Sequence, residues 1–162
     1  MNPSRPSPTG VLYARPRVFI TQPVAQAAVE RLAARASVVW NEDDSRPLPK
    51  RELMLAVKEA EYLFCMLHDL VDAEVIAAAP RLRMIACMGP GVGIDIEAAT
   101  RRRIAVTTGH AAVAAPPGRA GGERSEQMAL FVANNILDVI EGRRPQKLAN
   151  PSIYQGRPAP QQ

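Results

Sequence analysis

The chain has 162 residues, of which 47% are hydrophobic and 22% charged, and its net charge is +4. This length and composition are typical of one globular domain and exclude a wholly disordered chain. Aromatic residues make up only 4% of the chain, and none interrupts the basic run Arg101, Arg102 and Arg103. That run therefore predicts a solvated helix face, and we expect no nucleic-acid partner.

The two cysteines, Cys65 and Cys87, lie in separate apolar runs, where a reduced thiol behaves as a small hydrophobic side chain. Their spacing matches no metal-binding motif. The first seventeen residues lack the apolar segment of a secretory signal, and no stretch is long enough to span a bilayer. The sequence therefore predicts a cytoplasmic protein with no metal site and no membrane partner.

Residues 1–16 are rich in proline and predict a flexible extension. Five short apolar runs follow, and each is predicted to be a strand. These runs are residues 18–20, 38–40, 62–67, 84–88 and 104–107. Alternation of such strands with helices favours an α/β fold, a flavodoxin-like five-stranded parallel sheet in the order 2-1-3-4-5 with helices on both faces.

The segments between the strands carry apolar residues at helical spacing. Asp72 is well placed to cap one of these helices. The residues predicted to face inward are Val24, Ala28, Leu32, Ala36, Leu53, Val57, Ala60, Val75, Ile76 and Ala79, with Val29 and Ala33 beside the first four.

Beyond the fifth strand, residues 111–124 are rich in alanine, glycine and proline and predict a linker. A long helix is predicted over residues 125–142, with Ser125 as its N-cap and Gly142 as its stop. Its apolar side needs a partner surface, so we expect it to pack on the sheet unit and complete a single domain over residues 17–151. Residues 152–162 are predicted to be a flexible tail.

Several segments resemble the D-isomer-specific 2-hydroxyacid dehydrogenase family. These segments form two groups. The first group is similar to the family sequence on either side of its substrate loop. The second group is similar to the family's C-terminal segment, which packs on the substrate-binding domain. The matching segments are VDAEVIAAAPRLRMIA (residues 71–86), IDIEAAT (94–100), IAVT (104–107), Met128, NNIL (134–137), EGRRP (141–145) and Asn150-Pro151.

In that family the nucleotide-binding domain lies between the fifth strand and the returning helix, and it carries the glycine motif and the catalytic Arg, Glu and His. Here only the linker of residues 111–124 stands at that place. The resemblance therefore implies a truncated dehydrogenase-like protein that binds neither NAD nor NADP, the family's cofactors, and has no catalytic residue of its own.

The loop of residues 89–93 follows a strand and precedes a helix, as a phosphate-binding loop does. Reading G-x-G-x-x-G from Gly89 places Ile94 where the third glycine is needed. No acidic residue follows at the distance that ribose binding requires. The loop is therefore not predicted to bind a dinucleotide.

The resemblance implies a different role for this loop, in which backbone N–H groups bind the carboxylate of a small 2-hydroxy or 2-oxo acid. Pro90 has no N–H to donate. The donors are then either Gly91 and Val92 or Val92 and Gly93, because the loop is about one residue shorter than in the family. A tight turn without a ligand explains the same glycines equally well.

His68 follows the third strand, where the family's substrate loop lies, and it is a candidate contact for the acid; a surface histidine is the simpler interpretation. His110, at the edge of the linker, has no carboxylate at an interpretable spacing and is not expected to be catalytic. Asp69 and Asp72 are predicted to be turn and cap residues.

Two hypotheses follow. In the first, the chain is a substrate-binding domain that has affinity for small 2-hydroxy or 2-oxo acids but no turnover by itself. In the second, the surface that faces the nucleotide domain in the family binds another protein or a second copy of this chain.

Overall fold

The computed structural model describes residues 14–109 and 121–156. Most of the predicted N-terminal extension, His110, most of the predicted linker and the last six residues lie outside the described residues. The strands are β1 (Arg17–Ile20), β2 (Ser37–Trp40), β3 (Tyr62–Met66), β4 (Met84–Met88) and β5 (Ala105–Thr108). The helices are α1 (Gln26–Ala33), α2 (Lys50–Ala56), α3 (Ala73–Ala77), α4 (Ile96–Arg101) and α5 (Gly121–Ile140), with 3₁₀ turns at Val57–Glu59 and Pro151–Tyr154.

The five strands form one parallel sheet in the order β2-β1-β3-β4-β5, which confirms the predicted α/β topology. Each successive strand is reached through a helical crossover, as parallel pairing requires. Asp72 caps α3 as expected, because its Oδ1 accepts hydrogen bonds from the N–H groups of Glu74 and Val75, each at 3.1 Å. None of the described helices is long and apolar enough to cross a membrane.

Two apolar clusters cover the two faces of the sheet. One face packs on α2, α3 and α4 through Leu53, Val75 and Ala99. The opposite face packs on α1 and α5 through Leu32 and Ile136. Most of the residues predicted to face inward are buried. Val24 and Val29 are only partly buried and pack against the second cluster, and Ala33 is exposed.

The edge strand β2 is more exposed to solvent than predicted. Val39 and Trp40 are 59% and 42% exposed, although strands of a parallel sheet were expected to be buried on both faces. The physical reason is position, because β2 is the last strand at its edge and, within residues 14–109 and 121–156, pairs with β1 alone.

The long helix α5 packs against α1 and β4, as its apolar side predicted. It begins at Gly121 instead of Ser125, so the predicted linker extends four residues too far. Gly142 follows its last turn with a φ of +78°, the left-handed conformation expected of a helix stop.

The prediction of a flexible tail from residue 152 is wrong for its first residues. Pro151–Tyr154 forms a 3₁₀ turn in which Ile153 is buried against the α1 and α5 side of the sheet. The preceding segment pairs with β5, since the N–H of Ala149 donates to the carbonyl of Val106 at 2.7 Å. The burial of Ile153 and the backbone pairing with β5 together hold the segment on the domain.

Candidate functional site

Two loops meet at the carboxyl ends of β3 and β4, the edge at which parallel sheets bind ligands. A Cβ placed on Gly89 would lie 2.6 Å from the Cβ of Leu67, and one on Gly93 would lie 2.3 Å from the carbonyl oxygen of Asp69. Both positions therefore exclude any larger residue, and the glycines allow loop 89–93 to rest on loop 67–70. The carbonyl of Gly93 also accepts a hydrogen bond from the N–H of Val71 at 2.9 Å.

The N–H groups of loop 89–93 differ in what they face. The N–H of Gly91 donates to the Cys87 thiol, and Gly91 has a φ of +74°, which glycine adopts without strain. The N–H groups of Val92 and Gly93 have no acceptor among the residues described. Of the two donor pairs that the sequence leaves open, only Val92 and Gly93 are thus both free.

His68 lies in the turn that follows β3 and is exposed. Its neighbours Leu67 and Asp69 contact the glycine loop, so the fold brings the turn of His68 against the loop of Val92 and Gly93. No hydrogen bond or ion pair involves His68 within the described ranges. The imidazole is therefore available to a ligand, although nothing in the described part of the protein orients it.

A buried polar pair beneath the loops was missed by the sequence analysis. The Thr21 hydroxyl, at the end of β1, donates to Asp69 Oδ2, and the N–H of Met66 donates to the same oxygen at 2.7 Å. Asp69 is only 4% exposed, and its Oδ1 has no partner among the described residues. The available signal was a polar residue at the carboxyl end of each of two adjacent strands.

Cys65 and Cys87 are opposite each other on β3 and β4, and both are buried and free. The hydrogen bond to Cys87, together with burial, raises the pKa of the Cys65 thiol well above its usual value. A protonated buried thiol is a poor nucleophile. The hydrogen bond from the Cys65 thiol lowers the pKa of Cys87, and burial opposes this change. Both side chains lie in the apolar cluster packed on α2, α3 and α4, as predicted for core residues.

The remaining candidate groups do not gather into a second site in the part of the chain that the structure describes. It contains no cluster of three His, Cys, Asp or Glu side chains that could hold a metal ion. In the basic run, Arg101 pairs with Glu97 at 2.9 Å, and Arg102 donates to the carbonyl of Ala79 at 2.9 Å. Arg101 therefore forms an ion pair along α4, and Arg102 binds a carbonyl group that follows α3.

Comparison with known proteins agrees with this architecture. A curated glyoxylate reductase of Thermococcus kodakarensis is 42% identical over 95 residues, which are 57% of this chain and 28% of the relative. A D-3-phosphoglycerate dehydrogenase of Mycobacterium leprae is 38% identical over 92 residues, 56% of this chain and 17% of the relative. The chain thus spans less than a third of the length of these relatives.

Solved structures give the same result. The PH0520 protein of Pyrococcus horikoshii superimposes with a TM-score of 0.54 at 26% identity, covering 79% of this chain and 34% of the other. The TT0316 protein of Thermus thermophilus superimposes with a TM-score of 0.50 at 31% identity, covering 78% and 38%. The family model for the catalytic domain of D-isomer-specific 2-hydroxyacid dehydrogenases matches residues 18–150, and the chain belongs to that family.

Proposed function

We propose that residues 17–151 form a substrate-binding domain that holds the carboxylate of a small 2-hydroxy or 2-oxo acid on loop 89–93. The observation that carries this proposal is a pair of N–H groups at the carboxyl edge of the sheet, those of Val92 and Gly93, which have no acceptor among the described residues. Two adjacent backbone N–H groups form a concavity that suits an anion. The names of the relatives support the ligand class, since glyoxylate is a 2-oxo acid.

The surroundings of the loop allow a ligand to approach. Val92 is 85% exposed, and Leu67 and Leu70 beside it are 61% and 57% exposed. The hydrogen bond from the N–H of Val71 to the carbonyl of Gly93 at 2.9 Å supports a loop whose shape does not depend on a ligand. In this proposal His68 approaches the acid from the neighbouring turn and adds a side-chain donor.

The chain is proposed to bind without catalysing hydride transfer by itself. Reduction of a 2-oxo acid needs a hydride donor held against the substrate and an acid that delivers a proton. Only residues 109–120 separate β5 from α5, the place at which the family inserts its NAD- or NADP-binding domain. We therefore expect no binding of either cofactor by this chain.

Isothermal titration calorimetry with glyoxylate, pyruvate and hydroxypyruvate tests the binding site, and NADH in the same buffer tests the cofactor. Val92→Pro removes one donor, whereas Val92→Ala keeps the N–H and serves as the matched control. A hydrogen bond to a charged group contributes about 1.5–3 kcal/mol, so Val92→Pro should weaken binding roughly tenfold to a hundredfold. His68→Ala should weaken it less.

Equal affinity of the Val92→Pro and Val92→Ala variants would place the acid elsewhere. Absence of heat with every acid, confirmed by unchanged amide chemical shifts of loop 89–93, would remove the binding function. Oxidation of NADH in the presence of glyoxylate and the purified chain would overturn the absence of turnover.

A second candidate function is a protein-interaction or homo-oligomeric module at the same edge. The specific observation in its favour is the exposed apolar group of Leu67, Leu70 and Val92. Leu67 contacts Gly89, and the carbonyl of Gly89 accepts a hydrogen bond from the N–H of Gly109, the residue that follows β5. Replacing Leu67 and Leu70 together by serine should abolish such an association. Acid binding that persists in the same double variant would separate the two functions.

A further inference from the structure

No described strand pairs with the outer side of β2, which is a terminal strand of the sheet. Its four residues, Ser-Val-Val-Trp, include no charge and no proline, the features by which natural proteins commonly protect an edge strand. Val39 and Trp40 expose 59% and 42% of their surfaces. Such an edge presents unpaired backbone groups to which a further strand can be added.

The hydrogen bonds to β1 show which backbone groups face outward. The N–H of Ser37 donates to the carbonyl of Pro16 at 2.8 Å, and the N–H of Asn41 donates to the carbonyl of Ile20 at 3.0 Å. Because alternate residues of a parallel strand pair with the same neighbour, Ser37, Val39 and Asn41 face β1. The N–H and C=O groups of the two residues between them, Val38 and Trp40, therefore face the open edge.

Apolar hollows lie on both faces of this edge. A cavity of about 490 Å³ is lined by Phe19, Val39 and Ala60 on the α2 side. A second cavity of about 340 Å³ is lined by Val24 and Trp40, among others, on the α1 side. An added strand projects side chains alternately to both faces, so these hollows would accept side chains from it.

The charges around β2 differ between its two ends. Arg35 precedes the strand, and its side chain is 64% exposed, with one ion pair to Glu141 at 3.6 Å. Glu42, Asp43 and Asp44 follow the strand. Asp43 pairs with a nearby arginine, whereas Glu42 and Asp44 make no ion pair or hydrogen bond within the described part of the chain. At the end that follows β2, Arg46 pairs with Asp43 at 3.4 Å and leaves Glu42 and Asp44 as excess negative charge. At the other end Arg35 is the positive group, and it shares its charge with Glu141.

We propose that β2 pairs antiparallel with β2 of a second copy of this chain, which forms a two-fold symmetric dimer with one continuous sheet. Antiparallel pairing places the basic end of each strand beside the acidic end of the other, as the charges require, and a two-fold axis creates this match twice. A parallel pairing would place like charges together. An unrelated peptide would gain this complementarity only by coincidence of sequence, so a second copy is the occupant that the charges favour.

The geometry defines the register. Val38 exchanges both backbone hydrogen bonds with the partner's Trp40, and Trp40 does the same with the partner's Val38. Val39 then lies on the axis opposite the partner's Val39, at the close spacing of about 4.5 Å between Cα atoms that non-hydrogen-bonded pairs adopt. Extending this register brings Arg35 to the level of the partner's Asp43 and near the partner's Glu42.

Sedimentation velocity over a wide protein concentration range tests the dimer. Arg35→Glu should weaken association about tenfold, since it converts two attractions into two repulsions. Glu42→Arg should do the same, and the two substitutions together in one chain should restore part of the lost affinity, because the partner's Asp43 still lies at the level of position 35. Arg101→Glu, which breaks an exposed pair with Glu97 on α4, is the matched control and should leave association unchanged.

Amide hydrogen exchange locates the contact. Raising the protein concentration should slow exchange at Val38 and Trp40, whereas the amide of Val39, already paired with β1, should not change. Trp40→Lys should abolish dimerisation because a charged edge residue opposes strand addition. Retained circular dichroism in each variant confirms that the fold is intact.

A monomer at every concentration would overturn the proposal. A dimer that is indifferent to Arg35→Glu, Glu42→Arg and Trp40→Lys would also overturn it and would assign the contact to the Leu67 and Leu70 edge instead. None of these variants touches loop 89–93, so acid binding measured in parallel tests the proposed function independently.

Discussion

The side chain of Asn150 makes three hydrogen bonds that help to hold the C-terminal segment against β5. It is 4% exposed; its Oδ1 accepts from the N–H of Val106 at 2.9 Å, and its Nδ2 donates to the carbonyl of Ile104 at 2.8 Å and to Thr100 Oγ1 at 3.0 Å. We predict that Asn150→Ala leaves the Val106 N–H and the Ile104 carbonyl buried without partners. Each such group costs about 1–3 kcal/mol, so the free energy of unfolding should fall by about 2–5 kcal/mol.

Urea unfolding followed by circular dichroism measures this change. Asn134→Ala is the matched control, because Asn134 is exposed and makes one hydrogen bond, at 3.1 Å, with Arg31; its effect should stay within about 0.5 kcal/mol. Native-state hydrogen exchange should in addition show faster exchange at Val106 in the Asn150→Ala variant.

Asn150→Asp tests the donor role of this side chain separately from its acceptor role. The aspartate keeps an oxygen for the N–H of Val106 but turns a second oxygen toward the carbonyl of Ile104, so it should destabilise the domain at neutral pH at least as much as alanine does. If Asn150→Ala costs less than about 0.5 kcal/mol, or if Asn150→Asp is neutral, the buried hydrogen bonds do not hold the segment and the reasoning fails.

Three further predictions concern packing and charge. The hydrogen bond from Lys50 at 2.6 Å lowers the pKa of Asp72 below its ordinary value of 3.8, and the backbone N–H donors lower it further. The ionised form of Asp72 therefore stabilises the fold above about pH 4, and this contribution is lost as the pH falls through the lowered pKa. Asp72→Ala should cost about 1 kcal/mol at pH 7, with a smaller difference from wild type in acid unfolding at lower pH; a constant difference would contradict this assignment. Gly93→Ala places a Cβ 2.3 Å from the carbonyl oxygen of Asp69 and should lower stability by about 1–3 kcal/mol, and unchanged thermal unfolding would show that the loops move apart freely. Ile136→Ala on α5 opens a cavity at a fully buried position and should cost about 2–5 kcal/mol in urea unfolding; a loss below about 1 kcal/mol would mean that α5 is not part of the core.

The candidate site was predictable only in part. The glycines of loop 89–93 stand out in the sequence, and so does His68 at the end of a strand. The choice of Val92 and Gly93 as the free donors depends on the N–H of Gly91, which turns toward Cys87. The contact between Gly91 and Cys87 depends on how the loop bends back toward β4, and no local sequence pattern indicates it.

The sequence by itself determined the succession of strands and helices, the inward-facing residues and the sheet order, because apolar periodicity and right-handed crossovers are local rules. It also determined the helix cap at Asp72, since a cap involves only the next few residues. Only the tertiary structure decided that Thr21 and Asp69 form a buried pair across β1 and β3 and that Ile153 packs on the core. It also decided that no described strand pairs with the outer side of β2. Each of these features depends on groups far apart in the chain, whose approach is set by the packing of the whole domain.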